Sequence, residues 1–381
     1  MTSNTGLEGV VAARTRLSRV DGERGELIIA GYPLAELAAN ATFEEVTWLL
    51  WNGRRPSAAE SASFRRELAA RRSLSRATLA LVRECAVQHI DSMDALRIAA
   101  GSISLGGDDA TTILAQLPSI TAAFWRLVNG DEPIAARSDL GHAANYLYML
   151  DGREPDAERA RALETYLITV IDHGLNASTF TCRVICSTGS DLVSAVVGAI
   201  GALKGPLHGG APGPALETVF EIGDAARAEA VLRGKIEAGE RLMGFGHRVY
   251  KVRDPRADVL GAAAERLFTR AGDMTLYRLA REVESTALRL LEEYKPGRRL
   301  QTNVEFYTAL LLHGLGLDVP LFTPTFAIGR AGGWLGHAFE QRAANRLIRP
   351  ASEYVGPTGL RWAPDPERSS AAAPRRAAAG A

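Results

Sequence analysis

The chain has 381 residues, 46% of them hydrophobic and 23% charged, a composition of folded proteins and a length beyond one ordinary core. Lys plus Arg and Asp plus Glu both number 44, which argues against nucleic acid as a main partner. No apolar run reaches the length of a membrane span, and Met1 to Glu8 lack the core and cleavage pattern of a leader, so a cytoplasmic location is expected.

In chain order, short strands are predicted first, at Val10-Val11 and at Leu27-Ile28-Ile29, between turn formers such as Asp21-Gly22 and Gly31. The pattern then becomes helical. Thr42-Phe-Glu-Glu45 and Ser57-Ala-Ala-Glu60 match the capping box, and the first of these helices should stop at Asn52-Gly53. Further helices are predicted over 76–88, 93–105, 109–128, 139–150 and 156–172, with Pro118 kinking or splitting the third. Ser190 to Lys204 is rich in Ala, Val and Gly, as in a central or interface helix, and Gly205-Pro206 ends it. Charged, Ala-rich helices should cover 215–240 and 258–296. The composition then turns apolar again from Tyr307 to Phe322. This divides the chain into a large helical domain of 1–209 and 311–363 and a small inserted one of 210–310. Residues 364–381, mostly Pro, Ala, Ser and Arg with no apolar periodicity, should form a disordered tail.

Cys182 and Cys186 are spaced C-x3-C with no second pair, and Cys85 stands apart. This suits buried thiols in a reducing compartment better than a zinc site or a disulfide scaffold. Three histidines sit in unusual settings: His173 in Asp172-His-Gly-Leu-Asn-Ala-Ser-Thr179, His208 in Gly205-Pro-Leu-His-Gly-Gly210, and His247 in Gly244-Phe-Gly-His-Arg248. Glycines let a backbone approach a ligand, and loops on a helical scaffold are where reactive groups sit. For any one alone, an ordinary loop or core histidine is an equally good reading. Their spacings of 35 and 39 residues do not suit zinc, and no metal is expected. His89, His142, His313 and His337 have no such setting and read as ordinary.

Arg256 lies in Asp254-Pro-Arg256, Arg330 ends Phe326-Ala-Ile-Gly-Arg, and Arg349 lies in Leu347-Ile-Arg-Pro350. The last two have apolar neighbours, where an unpaired guanidinium is costly, so an anionic partner such as a substrate carboxylate is expected. Glu305, in Asn303-Val-Glu-Phe-Tyr307, interrupts an apolar stretch; it is either a paired core charge or a general base tuned by burial.

Taken together, and in this order along the chain, these motifs and the segment Met243-Gly-Phe-Gly-His-Arg-Val-Tyr-Lys251 resemble the citrate synthase family. The resemblance runs from Gly6-Leu-Glu-Gly9 to Gly356-Pro357, and is to the shorter, dimeric form. It implies a mainly α two-domain helical fold with a short N-terminal β segment, a homodimer, and a site in the cleft between the domains. It implies a Claisen-type condensation of acetyl-CoA with oxaloacetate and hydrolysis to citrate and CoA, with coenzyme A thioester as co-substrate and no bound cofactor. His208 would hydrogen-bond the thioester carbonyl, His247 would polarise and protonate the ketone, and Glu305 would take the proton. His173, Arg256 and Arg330 would bind oxaloacetate, and Arg349 would reach the other subunit's site. Lys251 would lie near the CoA phosphates, and the backbone of Met243, Gly244, Phe245 and Gly246 near the adenine. The family usually has Asp where this chain has Glu305. The extra methylene shifts the oxygens by about 1 Å, a misplacement that can cost roughly a hundredfold in rate unless the pocket is adapted. A 2-methylcitrate synthase or a paralogue taking a longer acyl group is the alternative. A non-catalytic CoA- or oxaloacetate-binding paralogue and a metal-dependent lyase are further readings.

Overall fold

The computed structural model describes residues 5–7, 9–103, 109–209 and 212–362. The predicted tail lies outside them. The predicted strand at Leu27–Ile29 is present, within an antiparallel sheet ordered β1 (Ser18–Asp21), β2 (Glu26–Ile29), β3 (Tyr32–Pro33). The strand predicted at Val10-Val11 is not: both residues are exposed and unpaired with any strand, so β propensity there has no pleated surface to act on. Asp21 Oδ1 accepts from the backbone N–H of Glu23 and Arg24, which makes the β1–β2 turn.

Apart from an isolated β-bridge between Phe245 and Thr302, all further regular structure among the described residues is helical. α1 (Leu34–Asn40) leads to α2 (Phe43–Asn52) and α3 (Ala58–Ala70). Both predicted capping boxes form, and Gly53 closes α2 at φ 71°, where a side chain would be strained. α4 (Arg76–Val87), α5 (Ser92–Ala100), α6 (Asp109–Val128), α7 (His142–Asp151) and α8 (Ala157–Val170) follow. Pro118 does not split α6, which runs through it. α9 (Ala177–Ser187) packs on the small-residue helix α10 (Leu192–Lys204). The helix predicted over 215–240 is two, α11 (Pro212–Ile222) and α12 (Ala228–Glu237), because Gly223 turns the chain at φ 63°. The helix predicted over 258–296 is likewise α13 (Pro255–Ala271) and α14 (Thr275–Tyr294), divided at Gly272 with φ 79°. α15 (Val304–Gly314) and the long α16 (Phe322–Ala343) complete the fold.

α16 is a central strut, packed on α2, α6, α8, α9 and α10, with Trp334 and Leu335 wholly buried. α8 packs on both α13 and α16. The approach of α16 to the end of α8 depends on glycine. A Cβ on Gly333 would collide with the Ile171 carbonyl oxygen, and one on Gly329 would press on Val170 and Leu167. Residues up to Leu347 form one compact unit; the segment from Ile348 forms a second, with no helix or strand among its described residues. Cys85, Cys182 and Cys186 are buried free thiols.

Candidate functional site

Three chain segments converge around Arg256. Asp254 caps the N-terminus of α13 and grips Arg256 twice, Nε to Oδ1 at 3.0 Å and Nη2 to Oδ2 at 2.8 Å. Both are buried. Burial alone would raise the Asp254 carboxyl, but the guanidinium overrides it and holds the pKa below the usual carboxylate range. Asp254 Oδ2 also accepts the backbone N–H of Val304 at 3.2 Å, the first residue of α15. Asn303 caps α15 by accepting from Glu305 N–H at 3.0 Å, and its Nδ2 donates to Gly246 O at 2.9 Å. The loop carrying His247 is thereby strapped to the segment carrying Glu305. Gly244 at φ 89° and Gly246 at φ 81° supply the backbone conformation this needs. Phe245 between them is buried against Phe306, with ring centroids 5.4 Å apart.

The hydrogen bonds assign the imidazole protons. His247 Nδ1 accepts from the backbone N–H of Val249 and Tyr250 at 3.0 and 3.1 Å, so in the neutral ring the proton is on Nε2. Nε2 lies 3.2 Å from Arg256 Nη2, itself only a donor. Two donors facing one another at that distance call for an acceptor shared between them. His208 Nε2 accepts from the Ser178 backbone N–H at 3.3 Å and lies 2.8 Å from Ser178 Oγ, which leaves the proton on Nδ1. Burial lowers both histidines to a pKa of about 4, aided by Arg256 for His247 and Arg330 for His208, so both are neutral at pH 7. His173 is held well below the ordinary range by burial and then by Arg256 and Arg330; its Nε2 meets the Tyr250 hydroxyl at 3.1 Å, and its ring lies 5.7 Å from that of His247.

Arg330, 1% exposed, projects from α16, donates through Nε to the Val170 carbonyl at the end of α8, and stacks 4.8 Å from the Phe326 ring. No hydrogen bond to its terminal nitrogens is made among the described residues. Burial lowers its pKa to about 10, yet it remains cationic at pH 7, a fit for a carboxylate fork. Burial raises Glu305 to about 7, only partly offset by Arg256 and Arg241, so a pH near neutral holds both forms. Phe326 also meets His208 edge to face, with ring centroids 6.3 Å apart.

The structure therefore brings together His173, His208, His247, Arg256, Glu305 and Arg330 from positions spread over 158 residues. Met243 is half-buried and Lys251 exposed, its backbone N–H donating to Gly22 O at 2.9 Å. Arg349 is exposed in the segment beyond Leu347. Among the described residues no three His, Cys, Asp or Glu side chains converge as a metal site. A cavity of about 250 Å³ lined by Arg253, Asp258, Tyr277, Arg281 and Tyr307 touches none of the predicted site residues.

Several supporting residues are not evident from sequence. His337, read as ordinary, is fully buried; its Nδ1 faces Arg183 Nη1 at 2.9 Å, so its Nε2–H donates to Asp172 Oδ1 at 3.1 Å. Asp172 also accepts from the Ser18 hydroxyl, which in turn accepts from Gly174 N–H at 2.8 Å. The residues on either side of His173 are thus pinned to β1 and α16. Asp172, Ser178 and Asp254 stood inside the quoted motifs; Asp172 adjoins His173 and Asp254 lies two positions before Arg256, and that nearness was the available signal.

The chain matches the family model described as "Citrate synthase, C-terminal domain" over residues 6–351. It is 41% identical to the citrate synthase of Haloferax volcanii, over 95% of this chain and 98% of that one. It is 40% identical to the 2-methylcitrate synthase of Mycobacterium tuberculosis, over 92% and 90%. Among solved structures it superposes, with a TM-score of 0.85 and 30% identity over 96% of this chain and 99% of the other, on the citrate synthase of Thermoplasma acidophilum in ternary complex with carboxymethyl coenzyme A and oxaloacetate.

Proposed function

The chain belongs to the citrate synthase family, and from that premise we propose that it condenses acetyl-CoA with oxaloacetate and hydrolyses the product thioester to citrate and CoA. One observation carries the proposal. A carboxyl group with a pKa of about 7 shares the site with two neutral imidazoles whose N–H groups meet no side-chain acceptor among the described residues. A proton beside a thioester is very weakly acidic, so removing it takes a placed base and a donor at the developing enolate oxygen.

Glu305 takes the proton from the carbon beside the thioester. His208 Nδ1–H donates to the thioester oxygen as it becomes an enolate, an interaction worth about 3 kcal/mol. The enolate carbon attacks the ketone of oxaloacetate, whose oxygen takes the proton from His247 Nε2. Arg256 and Arg330 hold the two carboxylates, with His173 beside them. Water then gives a proton to His247 as its oxygen attacks the thioester, Glu305 returns its proton to the departing CoA sulfur, and this hydrolysis makes the sequence effectively irreversible. The Thermoplasma relative, solved with a CoA analogue and oxaloacetate, supports the choice of these two ligands. Lys251 is assigned to the CoA phosphates and the backbone of 243–246 to the adenine. No resident cofactor is required.

The proposal extends to the assembly: a cytoplasmic homodimer in which Arg349 serves the other subunit's site. Residues 210–310 act as the smaller domain, closing on the rest to exclude water during condensation.

The second reading is a 2-methylcitrate synthase using propionyl-CoA, favoured by the mycobacterial relative at 40% identity. One methylene separates the acyl groups by only ~1–3 kcal/mol, too little for motifs to decide. Colorimetric thiol release from each acyl-CoA with oxaloacetate separates the readings. Faster release from acetyl-CoA is expected; faster release from propionyl-CoA makes the second reading correct. No release from either with folded protein overturns both.

A further inference from the structure

Tyr166 lies on α8 one turn before Val170, whose carbonyl holds Arg330, and the i, i+4 spacing puts these two residues on one face of the helix, whose last residue stands three before His173. The helix packs on α13, α15 and α16, the elements that carry Arg256, Glu305 and Arg330. Tyr166 is 0% exposed, and its hydroxyl is buried with no hydrogen-bond partner among the described residues. An unpaired phenol there costs about 1–3 kcal/mol, which an ordinary core position would avoid by carrying Phe. Its neighbour Tyr146 is equally buried but bonds Thr325 Oγ1 at 3.1 Å, so it is satisfied within the fold.

The charges acting on the Tyr166 hydroxyl are Arg330 first, then Glu305, with Arg256 also contributing. The orphaned imidazole of His142 is not so placed, since it responds to burial and then to Arg72 rather than to the charges of the site. The Arg330 guanidinium offers only donors and cannot take the phenol proton, whereas an anion held on that guanidinium can.

We infer that Tyr166 is a further substrate-binding residue, its hydroxyl donating a hydrogen bond to the carboxylate that Arg330 holds. The inference rests on the proposed binding of a 2-oxo dicarboxylic acid at this site. It adds a neutral donor to a set of cations. It also explains the orphaned hydroxyl: the ligand-free fold leaves unmade a bond that the substrate completes.

Tyr166→Phe keeps the ring and removes only the hydroxyl. Its melting temperature without ligand should equal or exceed that of the wild type, since no bond within the fold is lost. The KM for oxaloacetate should rise about tenfold, the ordinary effect of one hydrogen bond to a charged group, with the KM for the acyl-CoA unchanged. The rise in melting temperature on adding oxaloacetate should shrink in parallel. An unchanged KM for oxaloacetate, or a ligand-free variant less stable than wild type, overturns the inference. If oxaloacetate fails to stabilise even the wild type, the reading of the site is wrong and this inference falls with it. A full shift in wild type that persists undiminished in the variant overturns the inference alone.

Discussion

The carboxylate oxygen of Asp254 that takes the Arg256 guanidinium at 2.8 Å also takes the backbone N–H of Val304 at 3.2 Å. One buried atom thus joins the anion-binding arginine on α13 to the first turn of α15, which carries Glu305. Removing the carboxylate leaves a buried cation unpaired and the α15 N-terminus without its outside acceptor. Asp254→Ala should cost about 3–5 kcal/mol in denaturant unfolding, as for breaking a buried pair from one side. Turnover should fall along with oxaloacetate affinity, because both the binder and the base lose their anchor. A variant with wild-type stability would show that the pair is not buried in solution.

Glu305 gives a pH dependence with a definite sign. Its folded pKa, about 7, lies above the ordinary glutamate value of 4.5, so the folded state binds this proton more tightly than the unfolded chain. Its contribution to stability is therefore full below pH 4.5 and lost as pH rises to about 7. Glu305→Gln cannot ionise and should escape that loss. The variant's melting temperature should pull ahead of wild type between pH 4.5 and 7 and hold its lead above. Its thiol release should be abolished while oxaloacetate still binds. In wild type, kcat/KM should climb with pH through about 7 as the base ionises. Undiminished release by the variant would place the base elsewhere.

Ser178 should matter through His208. Its backbone N–H and hydroxyl both meet His208 Nε2, and the hydroxyl also meets Trp334 Nε1 at 3.1 Å and Asn176 Oδ1 at 2.9 Å. Ser178→Ala retains the backbone donor, so the tautomer persists, but the ring loses a contact that fixes its direction. The expected outcome is a fall in kcat of about tenfold, within the range set by losing exact placement of a donor, with oxaloacetate affinity preserved. Equal loss of both would mean that the change spreads beyond His208.

Much of this site was legible because its residues sit in short motifs with glycine or a cap beside them. His208 and His247 could be singled out from their loops, and Asn303 stands where an N-cap belongs before α15. The capping boxes at Thr42 and Ser57 were legible for the same reason, being local reciprocal bonds. What failed were relations between distant segments. His337 has nothing in its neighbourhood to mark it, since its partners Arg183 and Asp172 are 154 and 165 residues away. Tyr166 reads as an ordinary core aromatic until its hydroxyl is found without a partner. Val10-Val11 had the propensity of a strand, but pairing needs a neighbour that propensity cannot supply.

Gly22 offers a test of how the sheet supports the site. It lies in the β1–β2 turn, its carbonyl accepts from Lys251 N–H at 2.9 Å, and a Cβ there would collide with the Val249 carbonyl oxygen. Because the obstacle is backbone, no side chain can rotate out of the way, and either the turn or the 247–251 loop must shift. Val249 and Tyr250 are the residues whose N–H groups fix His247, so a shift of that loop reaches the proposed ketone-activating proton directly. Gly22→Ala should cost about 1–3 kcal/mol, as overpacking does, and lower kcat by about a hundredfold, the effect of a 1 Å misplacement. The groups that fix His208 come from Ser178 on α9 and not from this turn or loop, so the His208 arm should be spared. Lys251 ends the same loop, so acyl-CoA affinity, followed calorimetrically, should fall along with turnover. Wild-type kcat in a folded Gly22→Ala protein would show that the turn yields and the loop does not depend on it.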